Sequence, residues 1–412
     1  MIEQSPSIPF SPPFIDQKVE EEVLSALRSG WITTGPKVAA LQEKTAEYTG
    51  VDQVLCVNSA TSGMMLALHW FGVSRGDEVI LPAYTYCATA LVVKHLGATP
   101  VLVDIGDDFN ISIDQIKAAT TERTKVIIPV DIAGWPCDYA EIMKWVESED
   151  AKALFKANGS VQEMLGRPLV MADAAHSFGA HYKNRPTGCL ADLSIFSFHA
   201  VKNLTTAEGG AICINMPPPF NHEDIFKTLK LWSLNGQTKD AFTKSQAGGW
   251  RYDIVYPGFK VNMPDICAAI GLAQIDNYFD QLLPRRNAIH DLYSVLLSTY
   301  DWAITPIRQT DQRKGCGHLY PLRVKGASEA QRDEIIQKVS EQGIAVNVHF
   351  VPLPMLTVFK ESGYDIKDYP KAYEMYANEI SLPIYPQLAD DDVRRVVAAI
   401  AEAVNQVLFN HD

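Results

Sequence analysis

The sequence predicts an α/β fold, in which a large domain with a mainly parallel sheet flanked by helices is followed by a smaller C-terminal α/β domain. Three observations support this prediction. Short apolar runs rich in β-branched residues alternate with segments of helical period. The runs are apolar almost throughout, as strands are when both faces of a parallel sheet are covered. The length of 412 residues is enough for two or three domains.

The strands of the large domain are predicted in chain order from these runs. QVLCVN precedes the helical segment TSGMMLALHWFG, and EVILP precedes the helical segment TYCATALVVKHLG. Five more strand-like runs follow: PVLVD, KVIIPVDI, PLVMAD, LSIFSF and GAICIN. Ligands of such sheets bind at the carboxyl ends of the strands, so the polar residues after these runs are the first candidates for a functional site.

The C-terminal part has a different pattern. The segment MPDICAAIGLAQIDNYFDQLLPRRNAIHDLYSVLLSTY is typical of long helices broken near Pro284, and it leads into the second domain. There the strand-like runs HLYPLRV and AVNVHF flank the helical SEAQRDEIIQKVSEQG. The segment DDDVRRVVAAIAEAVNQVLF is predicted to be a capped amphipathic helix.

These patterns define the predicted domains. The large domain covers residues 1–280 and the small C-terminal domain covers residues 281–412. The proline-rich residues 1–15 are expected to form an N-terminal arm of the large domain. A polar segment of helical pattern at about residues 146–167 is expected to be an insertion before the PLVMAD strand, outside the motifs of the candidate site.

Composition narrows the class of protein. The net charge of −13 argues against a nucleic-acid partner. No apolar run approaches the ~20 residues that span a bilayer, and the acidic, proline-containing N-terminus is unlike a secretion signal. The seven scattered cysteines, which include no C-x-x-C pair, indicate reduced thiols and argue against a structural zinc site. We therefore expect a cytoplasmic protein with no membrane partner.

The segment VLCVNSATSG places small polar residues between a strand and a helix. Ser59, Thr61 and Ser62 lie where main-chain N–H groups at a helix N-terminus could bind a phosphate. Ordinary N-capping by Ser59 or Thr61 explains the same residues. The segment is a phosphate-site candidate that needs support from its neighbours.

Two further strand ends carry an aromatic ring and a carboxylate. In LPAYTYC, Tyr84 or Tyr86 could stack on a flat ligand, or simply pack in the core or at its rim. VMADAAHSFGA ends its strand in Asp173, and His176 follows. A carboxylate in apolar surroundings needs a hydrogen-bond donor or a cation, and a protonated heterocyclic nitrogen would serve. A helix cap or a salt bridge is the simpler explanation.

Lys202 follows the next strand, LSIFSF. Alone it would be taken for a surface lysine. Pyridoxal 5'-phosphate (PLP) chemistry, however, requires this combination of groups. A lysine holds the aldehyde of PLP as a Schiff base, and a carboxylate keeps the pyridine nitrogen protonated so that the ring is an electron sink. A phosphate cradle and a stacking ring hold the cofactor in place. Together these strand ends predict a PLP site.

The segment SFHAVKNLTTAEGGAICIN resembles the lysine segment of the DegT/StrS-type sugar aminotransferases, which belong to fold-type I of the PLP enzymes. Other segments are similar to blocks of that family and occur in the family's order: SGWITTGPKV, NSATSGMMLAL, GDEVILPAYTYCATA, LGATPVLVDI, RTKVIIPVDIAGWPCDYAEI, ADAAHSFGA, YPGFKVNMPDICAAIGLAQI and ISLPIYPQL. The resemblance covers nearly the whole chain. It is greatest to enzymes that aminate C4 of a UDP-linked 4-keto sugar.

The resemblance implies roles for the residues around the cofactor ring. Lys202 matches the Schiff-base lysine, whose free amine moves a proton between Cα of the amino donor and C4′ of the cofactor. Asp173 matches the partner of the pyridine nitrogen. His176 matches the polar group near the phenolic oxygen, and Tyr86 matches the stacking aromatic residue.

The resemblance also implies a phosphate site shared between two subunits. Thr61 and Ser62 match main-chain phosphate binders, and Ser197 matches a side-chain ligand. In the family a neighbouring subunit completes the site from the block that is GFKVN in this chain. Many members have Asn at the position of Lys260 and Arg at that of Asn262, so both residues are candidates. The implied assembly is a homodimer with shared active sites.

Substrate contacts are implied by position in the family. Trp31, Thr34 and His349 match the rim that meets the sugar, and His318 and Arg323 are weaker candidates. A lone histidine on a strand is more often structural, which applies to His318.

The implied activity is transfer of an amino group from L-glutamate to a nucleotide-linked keto-sugar, at C4 of a UDP-4-keto-6-deoxy sugar, for glycan biosynthesis. A 3-keto sugar or a cyclitol ketone is an alternative acceptor. A PLP-dependent sugar dehydratase is another alternative, although those relatives carry histidine in place of Lys202. A cofactor-binding sensor without turnover is a third. A nicotinamide enzyme is disfavoured because no G-x-G-x-x-G follows a strand.

Overall fold

The computed structural model describes residues 6–239 and 250–409. Over these residues the centre of the molecule is a seven-stranded sheet with the strand order β1-β9-β8-β5-β4-β2-β3. Its strands are β1 (Gln53–Val57), β2 (Glu78–Pro82), β3 (Thr99–Val103), β4 (Thr124–Ile127), β5 (Leu169–Asp173), β8 (Leu193–Ser197) and β9 (Gly210–Ile214). Only β9 is antiparallel to its neighbours, so the prediction of a mainly parallel sheet is confirmed.

Both faces of this sheet are covered, which explains why its strands are apolar throughout. Leu55 and Val57 of β1 pack into one apolar cluster with the helix Ala60–Trp70. Val54 and Cys56, which point the other way, pack into a second cluster with the helices Pro36–Thr49 and Asp265–Asn277. Alternate side chains of a strand point to opposite faces, so two covered faces require two apolar sets.

Helices connect and cover the strands. Those in the N-terminal part of the described chain are Gln17–Ser29, Pro36–Thr49, Ala60–Trp70, Ala88–His95, Ile113–Ala119, Tyr139–Val146, Glu149–Leu154, Ser160–Leu165 and His222–Trp232. Those in the C-terminal part are Asp265–Asn277, Leu283–Leu297, Glu329–Glu341, Thr357–Lys360, Pro370–Ala377 and Asp390–Val404.

The long helical segment changes course where proline predicts it. The helix Asp265–Asn277 ends in a π-helical turn at Tyr278–Leu282, and a new helix begins at Leu283 with Pro284 in its first turn. Proline suits this position because the first N–H groups of a helix have no partner within the helix. The break expected near Pro284 is therefore confirmed.

A second sheet follows, with the order β10-β12-β13 and antiparallel pairing. Its strands are β10 (Ala303–Ile304), β12 (Tyr320–Val324) and β13 (Glu379–Leu382). It packs with the helices Glu329–Glu341 and Asp390–Val404 in an apolar cluster of its own. Ile8 of the N-terminal arm joins that cluster and bonds to Gly343 and Ala345 through its main chain. The boundary near residue 280 stays a prediction.

A third, small sheet lies outside both of these. It has the order β11-β6-β7 and consists of the short strands β6 (His181–Tyr182), β7 (Arg185–Pro186) and β11 (Arg313–Lys314).

Two expectations in the C-terminal part are wrong in detail. AVNVHF forms an isolated bridge in place of a strand. Asn347 pairs with Ser381 of β13, but Val348 N–H donates to the side chain of Asn347 and His349 N–H donates to the carboxylate of Glu379. Those donors are therefore unavailable to a ladder. The helix Asp390–Val404 begins after Ala389 without a side-chain cap. The three aspartates of its first turn suit the positive end of the helix dipole instead.

The predicted insertion is helical and packs at the amino ends of the strands. Gln162 donates to the carbonyl of Phe71 at 3.0 Å, and Asn158 donates to Asp77, which precedes β2. Its hydrogen bonds thus lie away from the carboxyl ends of the sheet.

Among the described residues, no helix has the length and apolarity needed to cross a bilayer. In the same ranges no group of three or more His, Cys, Asp or Glu side chains is placed to bind a metal. The seven cysteines are free thiols.

Candidate active site

The carboxyl ends of neighbouring strands bring the predicted cofactor residues together. Asp173 is the last residue of β5 and pairs with Ile195 of β8, and Ser197 is the last residue of β8. Ser197 pairs with Gly210 of β9, which in turn pairs with Val57 at the end of β1. One edge of the sheet therefore presents the carboxylate, the serine and the start of the helix Ala60–Trp70.

Asp173 is buried and only partly satisfied. Its carboxylate accepts from the Thr89 hydroxyl at 2.8 Å and from Ala175 N–H at 3.2 Å. Burial raises its pKa, which the Thr89 and Ala175 bonds and the charge of Lys202 oppose. No lysine, arginine or histidine of the described chain forms a salt bridge with it. A buried acid in this state can accept another donor, such as the N–H of a protonated ring nitrogen.

Lys202 lies in the turn after β8, where its N–H donates to the carbonyl of His199 at 2.9 Å. Burial lowers the pKa of its amine to about 8, and the carboxylate of Asp173 opposes that shift. A substantial fraction of the amine is therefore neutral near physiological pH. The neutral amine is the form that attacks a carbonyl carbon.

His176 packs in a stack of rings behind these two residues. Its ring lies 4.4 Å from that of His318 and 5.7 Å from that of Phe350, between centroids. Burial lowers the pKa of His176 well below its usual range, helped by the charges of Lys202 and His349, so the ring is neutral. Its buried Nδ1 has no partner among the described residues, which leaves it available to a bound group.

His318 is buried and bonded within the protein. Its Nδ1 lies 2.9 Å from Oδ1 of Asn203, and Asn203 also donates to the carbonyl of Cys316 at 3.0 Å. Asn203 directly follows Lys202, so this pair ties the lysine turn to the segment before β12. The placement favours a structural role for His318 over contact with substrate.

The two tyrosines after β2 have different positions. Tyr84 is fully buried, and its hydroxyl donates to the carbonyl of His349 at 2.5 Å. Tyr86 is 60% exposed, and its ring centroid lies 5.9 Å from that of Phe350. Of the two, Tyr86 has the free ring surface that a stacking role requires.

The phosphate-site candidate is the first turn of the helix Ala60–Trp70. Ser59 caps the helix, because its Oγ accepts from Ser62 N–H at 3.1 Å. Thr61 is not the cap and is exposed. A Cβ added to Gly210 would lie 2.6 Å from the main-chain nitrogen of Ala60, so only glycine lets β9 approach this turn. Ser197 Oγ, on the adjoining strand end, accepts weakly from His199 N–H at 3.4 Å.

The GFKVN segment lies beside the same turn. Asn58 N–H, just after β1, donates to the carbonyl of Val261 at 2.9 Å. Asn262 donates to the Thr34 hydroxyl at 2.6 Å and accepts from the Lys260 amine. Burial lowers the pKa of Lys260.

The residues predicted to contact the sugar lie in two separate places. Trp31 donates from Nε1 to the carbonyl of Thr34, and the Thr34 hydroxyl donates to Met263, so both residues lie with Asn262. His349 lies apart from them, next to Phe350, where burial and, to a smaller extent, the charge of Lys202 lower its pKa. Arg323 is bonded to Asn378 and Glu374, which accounts for its charge without a ligand.

These residues fit PLP. Asp173 offers a buried carboxylate with which no described cation forms a salt bridge, and His176 offers a buried Nδ1 without a partner among the described residues. Lys202 has an amine whose pKa is lowered to about 8 by burial, and the turn at Ser59 presents main-chain N–H groups at a helix N-terminus. The donors required at the aldehyde, the ring and the phosphate are all present at one edge of the sheet.

Comparison with known proteins decides the family. The DegT/DnrJ/EryC1/StrS aminotransferase family matches residues 13–401. The chain belongs to this family. It is a PLP-dependent sugar aminotransferase, and the predicted fold-type I architecture is confirmed.

Solved structures agree. The sugar aminotransferase Spr1654 of Streptococcus pneumoniae, solved in its PMP form, superposes with a TM-score of 0.93 at 44% identity and covers 97% of this chain and 100% of its own. Its PLP form gives the same TM-score at 43% identity, with 98% and 100% covered.

Two curated relatives are similar over nearly their whole lengths. The spore coat polysaccharide biosynthesis protein SpsC of Bacillus subtilis is 36% identical over 96% of this chain and 97% of its own. A UDP-4-amino-4-deoxy-L-arabinose–oxoglutarate aminotransferase of Shewanella sediminis is 34% identical over 96% and 98%.

Sequence reasoning missed several residues of this sugar aminotransferase's site. The Thr89 hydroxyl donates to Asp173, and Phe350 stacks on His176 and also contacts the ring of Tyr86 at a tilt. Only Asn203 carried a usable signal, because it is an amide next to the predicted lysine. Thr89 lies in the first turn of a helix, where a threonine is common and gives no signal of a functional role. Its contact to Asp173 joins residues that are far apart in the sequence.

Proposed function

We propose that this sugar aminotransferase moves an amino group from L-glutamate to a nucleotide-linked keto-sugar, at C4 of a UDP-4-keto-6-deoxy sugar, for glycan biosynthesis. The Shewanella relative supports the nucleotide, the ring position and the donor, since its name includes a UDP-linked 4-amino sugar and oxoglutarate, the keto acid that glutamate leaves. The name of SpsC supports a polysaccharide pathway.

One observation carries the choice of amination over dehydration. Lys202 stands after β8 with a pKa of about 8, next to the buried Asp173. Sugar dehydratases of this type carry histidine at that position, and an imidazole has no primary amine with which to form a Schiff base. A lysine whose amine is partly neutral near physiological pH can form the Schiff base again after each turnover.

The residues divide the chemistry among them. When bound, PLP supplies an electron sink for the bond broken at Cα of the amino donor. The Lys202 amine would take the proton from Cα of glutamate and deliver it to C4′ of the cofactor, and in the half-reaction that aminates the sugar it would carry a proton from C4′ to C4 of the sugar. Asp173 would keep the proton on the ring nitrogen. The neutral His176 would bind near the phenolic oxygen, and the Ser59 turn with Ser197 would bind the phosphate.

We further infer a cytoplasmic homodimer with shared sites. Exposed apolar side chains flank the site, among them Val201 and Tyr86, and others follow at Trp250 and Val255. In this assembly Lys260 and Asn262 of one subunit complete the phosphate site of its partner.

A mixing experiment tests the shared site. Subunits with Lys202→Ala and subunits with Asn262→Ala are each expected to be poorly active. After mixing and reassembly, a heterodimer would contain one intact site only if Asn262 acts across the interface. Recovered activity supports sharing, and no recovery in verified heterodimers contradicts it.

A substrate panel tests the reaction. The enzyme is incubated with L-glutamate and UDP-, dTDP- or GDP-linked 4-keto-6-deoxy sugars, and with a 3-keto sugar and a cyclitol ketone, while a coupled assay follows 2-oxoglutarate. We expect the highest kcat/KM with the UDP sugar. Lys202→Ala should abolish turnover, whereas Lys227→Ala, an exposed lysine paired with Glu223, should not. Preference for another class of ketone would contradict the proposed substrate.

A further inference from the structure

His349 is linked to a buried carboxylate through a serine. Its Nδ1 lies 2.9 Å from Oγ of Ser381, and Ser381 Oγ lies 2.5 Å from Oε1 of Glu379. The main-chain N–H of His349 donates to the other carboxylate oxygen, Oε2, at 3.0 Å. Glu379 and Ser381 are both fully buried on β13, whereas His349 is partly exposed. The chain therefore connects the protein interior to the site.

The groups around Glu379 do not neutralise it directly. Arg332 donates to the main-chain carbonyl of Glu379 at 3.0 Å, and its charge only partly lowers the pKa of the carboxyl. Tyr84, from the turn after β2, donates to the carbonyl of His349, and burial keeps its phenol neutral by raising its pKa. Lys202 faces His349 from the lysine turn. No described cation forms a hydrogen bond with the Glu379 carboxylate.

Glu379 is consequently a neutral acid at physiological pH. Burial raises its pKa to about 8, against the bonds from Ser381 and His349 and the charge of Arg332. Because Oε2 accepts from His349 N–H, the proton of the acid is on Oε1, which faces Ser381. An ionised Glu379 accepts from the Ser381 hydroxyl, but a neutral Glu379 would reverse this bond, with Oε1 donating to Ser381 Oγ and the Ser381 hydroxyl donating to Nδ1 of His349. A neutral imidazole that accepts at Nδ1 carries its hydrogen on Nε2.

We propose that Glu379, acting through Ser381, sets which ring nitrogen of His349 carries the proton, so that Nε2 presents an N–H donor to an oxygen of the bound sugar substrate. The identity of that acceptor rests on the proposed function. Glu379 and Ser381 are positioning residues, since they act on the substrate through His349. Above the pKa of Glu379 the ionised carboxylate would accept from Ser381, the chain would reverse, and Nε2 would become an acceptor.

Nitrogen-15 NMR of histidine-labelled enzyme tests the tautomer directly. The chain has ten histidines, and the signals of His349 are assigned by their loss in His349→Gln. We expect the Nε2–H form at pH 7 and conversion to the Nδ1–H form as the pH rises through about 8. Glu379→Gln should keep the Nε2–H form wherever the His349 imidazole is neutral, because its amide oxygen accepts from His349 N–H and its NH₂ donates to Ser381.

The control for this measurement is Ser194→Ala, because the buried Oγ of Ser194 has no partner among the described residues. It should leave the His349 titration unchanged, whereas Ser381→Ala should abolish its dependence on Glu379. The Nδ1–H form at pH 7, or a Glu379→Gln enzyme that titrates like the wild type, would overturn the proposal.

Kinetics tests the consequence for substrate. Loss of one hydrogen bond predicts a rise of about 2- to 10-fold in KM for the sugar in Ser381→Ala at pH 7, with the glutamate half-reaction little changed. Glu379→Gln should keep the low KM at pH 9, where the wild type loses it. An enzyme inactive on all nucleotide-linked sugars would contradict the proposed function and leave the NMR result intact. The wrong tautomer in an active enzyme would contradict the relay alone.

Discussion

Buried carboxylates lie at both ends of the neighbouring strands β5 and β8, but only the one at the amino ends has a cationic partner in the described part of the chain. At the amino ends, both guanidinium nitrogens of Arg167 donate to the two carboxylate oxygens of Asp192 at 2.7 Å, and Val170 N–H adds a bond at 2.8 Å. At the carboxyl ends, Asp173 is equally buried but receives only the Thr89 hydroxyl and a main-chain N–H among the described residues.

This difference distinguishes buried charges that stabilise the fold from buried charges that are available to a ligand. The Arg167–Asp192 pair is complete without any ligand, so it contributes to the folded state alone. Asp173 and His176 retain hydrogen-bonding capacity that the protein does not use. Unsatisfied buried groups lower stability, and proteins retain them where a ligand completes the set. The incomplete end of the sheet is therefore the functional end.

The largest effect is expected at the complete end. Arg167→Ala would leave Asp192 buried without its cation, and should lower the free energy of unfolding by about 3–5 kcal/mol. Urea denaturation of the holoenzyme measures this, with Lys227→Ala as the control. Lys227 pairs with Glu223 and both side chains are exposed, so its loss should change stability by about 1 kcal/mol or less. A loss in Arg167→Ala no larger than in the control would contradict the role of the Arg167–Asp192 pair in the folded state.

The reverse behaviour is expected at the incomplete end. Asp173→Asn removes a buried charge, so stability should stay the same or rise, while kcat/KM should fall by roughly 10²–10³-fold through loss of the charge opposite the ring nitrogen. Asp192→Asn is the matched substitution, and we expect its main effect to be a lower free energy of unfolding. Near-normal turnover of a PLP-loaded Asp173→Asn enzyme would contradict the assigned role.

Thr89→Val tests the hydrogen bonding of Asp173 with a smaller expected effect. The substitution removes one hydrogen bond to a charged carboxylate, and should weaken PLP binding roughly tenfold. Equilibrium titration of the apoenzyme with PLP measures the change. Thr45→Val, which loses a buried bond to the carbonyl of Leu41, is the control and should leave PLP affinity unaltered.

The smallest effect is a shift in pH dependence. Burial lowers the pKa of Lys202 to about 8, and the amine reacts only when neutral, so the rate of PLP capture by the apoenzyme should rise with pH to a plateau with a midpoint near 8. Asp173→Asn should move the midpoint down, because Asp173 stabilises the ammonium form. Stopped-flow absorbance measures both, and a wild-type midpoint near 10 would contradict the burial of the amine.

The sequence predicted the elements more fully than the contacts between them. All seven runs proposed for the large domain are strands, because apolar β-branched runs buried on two faces leave a strong local signal. AVNVHF was mistaken for a strand because its pairing with β13 stops after Asn347, where the next two N–H groups donate to side chains, including that of Glu379, which is distant in the chain. A local pattern contains no information about such partners.

For the candidate site, too, the sequence predicted single segments but not the contacts between them. Lys202, Asp173 and the Ser59 turn each follow a strand, so topology alone brings them to one edge. Thr89 and Asp173 lie far apart in sequence, as do Gly210 and the Ser59 turn. These contacts depend on tertiary packing, and the spacing of residues along the chain does not predict it.

Borohydride reduction tests the central claim most directly. The PLP-loaded enzyme is reduced, digested and analysed by mass spectrometry, so that the lysine bearing the pyridoxyl group is identified. The account predicts a single modified lysine, Lys202, with Lys260 unmodified. Modification of another lysine at comparable yield, or none in an enzyme that turns over, would contradict the assignment of the incomplete end of the sheet as the active site.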